Sequence, residues 1–228
     1  MPEFFHIGGE TFPLIRKQVA VGGREISLAG LPYTPDWLEK VVAARAPGER
    51  NWPYWLEDWP ATYALAEVLA GEDASAWRLP VLDLGCGSGF LASFLRLRFG
   101  LRPYCCDFNF DACRLAAMNL GLQGGPAFPS RVVCADMESF PLRGPFGLIL
   151  AGEMLYAREN QARLLTFLKG LLAPGGAAYL ADPGRSAAEG FAAAAAARGF
   201  RVRILERTIP EGNRKVQVYQ VDRPGEAV

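Results

Sequence analysis

The sequence predicts an α/β fold with a mostly parallel sheet, and three observations carry that prediction. From residue 79 onward, short apolar runs alternate with helical stretches of roughly 10 to 15 residues, the spacing of strand–helix–strand crossovers. The first run, Val81-Leu82-Asp83-Leu84, leads straight into Gly85-Cys86-Gly87-Ser88-Gly89, a sharp turn from strand to helix. The next two runs end in Asp107 and Asp136, so carboxylates gather beyond the carboxyl ends of the strands, where ligands of such sheets bind.

Size and charge narrow the function classes. The chain has 228 residues, 50% of them hydrophobic, with 24 basic and 24 acidic side chains and one histidine. At that length about 70% of the extended surface can be buried, so a core needs no disulfide or metal staple. A net charge of zero excludes a nucleic-acid binder held by a broad basic field. Cys86, Cys105, Cys106, Cys113 and Cys134 form no CxxC pair, which reads as reduced thiols in the cytoplasm. His6 alone supplies no structural zinc site. No apolar run approaches the roughly 20 residues of a membrane span. The start, Met1-Pro2-Glu3-Phe4-Phe5, lacks the basic region and apolar block of a signal peptide.

Taken in order, residues 1–50 read as an extension covering the main domain, which occupies 51–228. Phe12 to Val21 and Arg24 to Leu28 flank Gly22-Gly23 as a hairpin. A helix follows from Pro35 to Arg45, opened by Thr34, and then a loop around Pro47-Gly48. Asn51 to Pro60 packs three tryptophans (52, 55 and 59) ahead of a helix over Ala61 to Leu69. After the glycine turn come a helix from Phe90 to Phe99 closed by Gly100, an extended run to Asp107, and a helix over Asp111 to Leu120. A Gly/Pro-rich connection from Gly121 to Pro129 precedes a strand from Arg131 to Ala135. Phe146 to Ala151 is the fourth strand, Asn160 to Leu172 a helix stopped by Pro174-Gly175-Gly176, and Ala177 to Ala181 the fifth strand. Residues 187–197, mostly alanine, form a helix. Arg201 to Thr208 and Lys215 to Val221, joined by a turn over 210–214, add a more polar antiparallel edge pair.

The glycine loop admits three ligand readings. A triphosphate loop needs Gly-Lys-Ser/Thr, which is absent, and a dinucleotide loop needs a third glycine where Phe90 stands. Asp83 decides between the rest: just before the glycines it would repel a pyrophosphate but suits the cationic amino and sulfonium end of S-adenosylmethionine. Asp107 closes the second strand, where a carboxylate takes both ribose hydroxyls. Asp136 can accept from an adenine amino group with Met137 against the ring.

With Asp83, Gly85, Gly87 and Gly89 on its Asp-x-Gly-x-Gly-x-Gly motif, the block 79–182 resembles the class I S-adenosylmethionine-dependent methyltransferases. The resemblance implies a Rossmann-like, mostly parallel seven-strand sheet of order 3-2-1-4-5-7-6, with strand 7 antiparallel and helices on both faces. Pro53-Tyr54-Trp55, Trp59-Pro60, Gly152-Glu153-Met154-Leu155-Tyr156 and Asp182-Pro183-Gly184-Arg185 resemble, more narrowly, the seven-strand protein-lysine methyltransferases. Within these they are similar to the group of the electron-transfer-flavoprotein beta-subunit lysine methyltransferase and its bacterial, nicotinamide N-methyltransferase-like relatives. The group carries Asp-x-x-Tyr after strand 4, and this chain has Glu153-x-x-Tyr156, keeping the charge one methylene further out.

The resemblance implies S-adenosylmethionine as cofactor, with S-adenosylhomocysteine as product. Trp59, Asp83, Gly85, Cys86, Gly87, Gly89, Asp107, Phe108, Asp136 and Met137 are expected to hold it. Glu153, Tyr156 and Asp182 are the candidates for catalysis, and Trp55, Glu57, Glu153, Tyr156 and Arg185 for substrate. Arg185 can bind a substrate carboxylate or pair with Asp182, and the sequence leaves both open. A lysine amine must arrive neutral, so a carboxylate near it grips the ammonium and gives its proton a way out. The leading expectation is transfer of a methyl group to a protein lysine, by a monomer or weak dimer with no membrane or nucleic-acid partner. The alternatives are N-methylation of a small amine or pyridine-like molecule, and a non-catalytic S-adenosylmethionine-binding or scaffolding protein.

Overall fold

The computed structural model describes residues 3–32, 34–43, 53–57, 59–78, 80–124, 131–209 and 214–225. The expected loop around Pro47-Gly48, Trp52, the stretch 125–130 and the turn over 210–213 lie outside the described residues.

The chain begins with two antiparallel hairpins, β1 (Phe4–Ile7) with β2 (Glu10–Pro13) and β3 (Ile15–Val21) with β4 (Arg24–Gly30). The first is absent from the sequence reading, although Gly8-Gly9 signals it as plainly as Gly22-Gly23 signals the second. In both pairs the two glycines take positive φ (57° and 90°, then 55° and 70°), the geometry of a two-residue hairpin turn. Helix α1 (Pro35–Ala43) follows.

The central sheet then assembles around α2 (Pro60–Ala70), β5 (Val81–Leu84), α3 (Phe90–Phe99), β6 (Tyr104–Asp107), α4 (Phe110–Leu122), β7 (Val132–Cys134), β8 (Phe146–Gly152), α5 (Arg158–Leu171), β9 (Leu172–Asp182), α6 (Phe191–Ala196), β10 (Arg201–Ile209) and β11 (Arg214–Asp222). Its seven strands run in the order β7-β6-β5-β8-β9-β11-β10. Counted from β5 this is 3-2-1-4-5-7-6, and β11 is antiparallel to both of its neighbours, as the resemblance implied.

Side-chain alternation makes the sheet two-faced. Val81, Leu148, Leu150, Tyr179 and Ala181 face α2 and α3, whereas Leu82, Ile149, Ala151, Ala178 and Leu180 face α5 and α6. The same alternation sends Cys105 toward α4 and Cys106 to the opposite core, so these adjacent thiols share no face.

Two elements differ from the sequence reading. Strand β9 starts at Leu172, because Pro174-Gly175-Gly176 sits within it as an irregularity: Phe146 pairs with Leu172, and the register then shifts to Leu148 with Ala177. The alanine-rich helix shrinks to six residues, since Gly190 takes a left-handed φ of 82° and splits off a single turn at Ser186–Ala188.

The hairpins pack onto α2, α3 and α4 rather than extending the sheet. The buried Asn119 of α4 holds the second hairpin: its Oδ1 accepts from Ala29 N at 2.7 Å, and its Nδ2 donates to Ala29 O at 3.0 Å and Ser88 O at 2.8 Å. One amide thereby pairs with β4 as a neighbouring strand would and reaches the glycine loop as well. Among the described residues no helix is long and apolar enough to cross a membrane.

Candidate active site

The glycine loop forms one wall of a cleft of about 850 Å³ at the carboxyl ends of β5, β6, β7 and β8. Gly85 and Cys86 donate their N–H groups to Cys106 O at 2.8 and 3.0 Å, which bends the loop over β6. Its glycines do different work. Gly87, at φ 50°, lines the cleft, and a Cβ there would meet only Trp55 Cα at 3.9 Å, leaving bare backbone open to a ligand. Gly89, at φ 77°, faces away from the cleft: a Cβ would lie 2.9 Å from Ala116 Cα, so this glycine lets α3 and α4 pack closely. Ser88 takes its place among the lining residues.

Two carboxylates stand beneath the loop. Asp83 is 1% exposed, accepts from Ala92 N at 3.2 Å in the first turn of α3, and is pushed up to about 7, chiefly by burial. Asp107 receives Gly87 N on Oδ2 at 3.0 Å and Asn109 N on Oδ1 at 2.9 Å. Burial raises its carboxyl too, and those N–H groups pull it back. Both oxygens of Asp107 keep a lone pair for a further donor. Contact with Cys105 and burial hold the Cys86 thiol far above its usual range, so it stays a neutral filler of the loop.

Beyond Asp107 the wall continues through Phe108, 48% exposed, and through Asp136 and Met137. Asp136 Oδ1 accepts from Glu138 N at 2.8 Å, fixing the turn after β7. Bare backbone at Gly87, an aromatic face at Phe108 and two buried carboxylates fit a ligand with one cationic end and one sugar–base end. S-adenosylmethionine is a ligand of that kind.

The other end of the cleft gathers side chains from three elements. Glu153, just past β8, takes a φ of 62°, rare for a residue with a side chain. Its Oε1 accepts from Ala61 N at 3.1 Å, capping α2, whose own N-cap residue Trp59 supplies no side-chain cap. Its Oε2 lies 2.6 Å from Arg185 Nη1. The same nitrogen donates to Asp182 Oδ2 at 3.1 Å, and the guanidinium sits 5.6 Å from the centre of the Trp59 ring. Of the two readings left open for Arg185, the structure shows the ion pair. Burial raises the Glu153 carboxyl, and Arg185 acts most strongly against that rise.

Of the three residues expected in catalysis, Glu153 and Tyr156 line the cleft. Asp182 does not: it is fully buried, and its oxygens are occupied by Gly184 N, Arg185 N and the Arg185 guanidinium. Trp55, Glu57 and Trp59 all line the cleft. Trp55 packs on Phe5 of the first hairpin, and its buried indole N–H has no hydrogen-bond partner among the described residues.

Tyr54, Met154, Asn160 and Arg163 also line the cleft and were missed. Tyr54 and Met154 lie inside two of the four quoted motifs, which was signal enough. Asn160 and Arg163 carry none, because only the placement of α5 brings them to the rim.

Residues 81–176 match the family described as a methyltransferase domain. The electron transfer flavoprotein beta subunit lysine methyltransferase of Xenopus laevis is 28% identical over 164 residues, covering 68% of this chain. The chain spans 65% of that relative, slightly under two thirds of its length. N-methyltransferase NodS from Bradyrhizobium japonicum, in complex with S-adenosylhomocysteine, superposes with a TM-score of 0.55 at 16% identity, over 83% of this chain and 97% of its own. A putative RNA methyltransferase from Pyrococcus horikoshii gives 0.60 at 19% identity, over 85% and 98%. At these identities the two structures establish the fold.

Proposed function

We propose that this chain, whose residues 81–176 are a class I S-adenosylmethionine-dependent methyltransferase domain, moves a methyl group onto the side-chain amine of a protein lysine. S-adenosylmethionine is its cofactor, and when bound it supplies a methyl group on a sulfonium, already activated for in-line displacement. What the chain must add is alignment and a place for a proton.

In this reading Asp83 faces the cofactor's ammonium, Asp107 its ribose hydroxyls, and Asp136, Met137 and Phe108 its base. The bare backbone of Gly87 would flank its amino-acid portion, with Gly85 and Cys86 shaping the loop behind it.

One observation carries the choice of acceptor. At the other end of the cleft, Tyr54, Trp59 and Tyr156 share the lining with Glu153 and Arg185, and with the buried Asp182 behind them the three charged side chains have a formal charge of minus one. Tyr54 and Tyr156 are 55% and 54% exposed, aromatic faces turned to solvent as a cationic side chain on an alkyl stem requires. Glu153 grips the arriving ammonium and takes its proton, freeing the nitrogen lone pair for the methyl group. Tyr156, Trp55 and Glu57 shape the mouth. Asp182, buried behind it, acts through Arg185. The lysine specificity of the Xenopus laevis relative supports the same acceptor.

Five free thiols suit the reducing interior of a cell, where a protein substrate would be met. The test uses methyl-labelled S-adenosylmethionine, the purified protein and an extract of the source organism. Label is then followed in protein, RNA and small-molecule fractions. Methyl-lysine in a discrete protein is the expected result. Label confined to small molecules would replace this reading with the small-amine one, and binding without transfer would favour the scaffolding alternative.

A further inference from the structure

We propose that Arg185 is the positioning residue of the acceptor end, holding the Glu153 carboxylate as an anion turned toward the cleft. The proposal rests on the acceptor reading above and adds to it the group on which Glu153 depends.

Three contacts fix the guanidinium. Nη1 bridges Glu153 Oε2 at 2.6 Å and Asp182 Oδ2 at 3.1 Å. Asp182 is itself immobile, because Oδ1 accepts from Gly184 N at 2.9 Å and Arg185 N at 2.7 Å in the turn after β9. Over the guanidinium lies Trp59, whose indole N–H is tied to Tyr54 O at 2.8 Å. The arginine is therefore clamped from its backbone to its tip, its hydrogen bond going to Asp182 while the Glu153 contact is an ion pair by distance, and a clamped cation that close favours the charged form of its partner.

Glu153 has reason to need such a partner. It is 8% exposed and held by two contacts, Ala61 N on one oxygen and Arg185 on the other. A carboxylate so buried loses its charge unless a cation or N–H groups replace its water. The groups facing it are Arg185 and Asp182 from the end of β9 and the N-terminus of α2, with Glu57 and Tyr156 in the same cleft wall. Asp182, an anion, pushes Glu153 toward protonation, so Arg185 works against burial and a like charge together, and burial still leaves the carboxyl raised. A protonated Glu153 could neither grip an ammonium nor accept its proton. Because Oε1 keeps a lone pair beside the Ala61 N–H, Arg185 can stay on the buried Oε2 while the substrate amine docks.

The test is a carbon-13 NMR titration of the glutamate carboxyls in the full chain, with Glu153 assigned by loss of its signal in E153Q. Wild type, R185K and R185Q are compared, and retained binding of S-adenosylhomocysteine shows that each cleft is folded. In R185Q the Glu153 titration should move up by about one pH unit or more, with R185K between the two. The acid limb of kcat/KM should move with it. An unchanged Glu153 titration in R185Q and R185K would overturn the proposal, as would activity lost equally at every pH. A shifted titration without transfer to any lysine would instead reject the acceptor reading while leaving the clamp in place.

Discussion

Replacing Gly89 by alanine should cost stability, whereas replacing Gly87 should cost cofactor binding, although both belong to one loop. At position 89 the new methyl group would stand 2.9 Å from Ala116 Cα and 3.0 Å from Ala116 Cβ, with Ala116 O at 3.3 Å. These are atoms of a buried helix, which cannot yield as the tip of a flexible side chain does. A left-handed φ costs an L-residue about 1–2 kcal/mol and overpacking a further 1–3 kcal/mol, so a loss of about 3 kcal/mol is expected. For a chain of this size that corresponds to a fall in Tm of roughly 6–12 °C.

At position 87 the backbone strain is of the same order, about 1–2 kcal/mol, but the added Cβ meets only Trp55 Cα at 3.9 Å and otherwise enters the cleft. G87A should therefore melt closer to wild type and bind S-adenosylhomocysteine at least about tenfold more weakly, a loss of roughly 1.4 kcal/mol. Thermal melts followed by circular dichroism and calorimetric titration with S-adenosylhomocysteine read the two effects separately. Wild-type affinity in G87A, or a larger loss of Tm in G87A than in G89A, would refute the division of roles drawn from the loop geometry.

Three further outcomes are expected. D107N turns an amide N–H toward one of the two backbone donors, Gly87 or Asn109, and should weaken S-adenosylhomocysteine roughly 10- to 100-fold by calorimetry. N119A strips partners from Ala29 N, Ala29 O and Ser88 O at a cost of about 2–4 kcal/mol, and hydrogen exchange should show the Ala29 amide losing protection. Asp83 titrates at about 7 when folded but near 3.9 when unfolded, so the folded chain holds its proton more firmly. Its contribution to stability is complete below about pH 4 and lost as pH rises through about 7. The Tm of wild type relative to D83N should therefore fall between pH 5 and pH 8.

The fold was legible because it rests on local pattern. Val81 to Gly89 announces strand, turn and helix through neighbours in sequence, and Asp107 follows its strand by simple adjacency. Where glycines act differently from their usual meaning, the reading slipped: Gly175-Gly176 interrupts β9 without ending it, and Gly190 shortens a helix that alanine propensity favoured. The candidate cofactor carboxylates were legible for the same reason as the fold, since Asp83, Asp107 and Asp136 stand at or just past strand ends, whereas Trp59 reaches the cleft as the N-cap of α2. Gly89 was grouped with Gly87 because a motif records spacing and not which neighbour lies within 3 Å.

Sequence alone determined the α/β alternation, the cofactor loop and the acidic strand ends, all properties of residues within a few positions of one another. Tertiary structure decided what each polar group is bonded to. Ala61 lies 92 positions from the Glu153 it donates to, and Ala29 lies 90 positions from the Asn119 that holds it. Asp182, expected beside Glu153 as a catalytic carboxylate, is buried outside the cleft lining and paired with Arg185, which also contacts Glu153. A carboxylate's chemistry depends on its burial and its contacts. Those are fixed only when the sheet brings the ends of β8 and β9 and the start of α2 together.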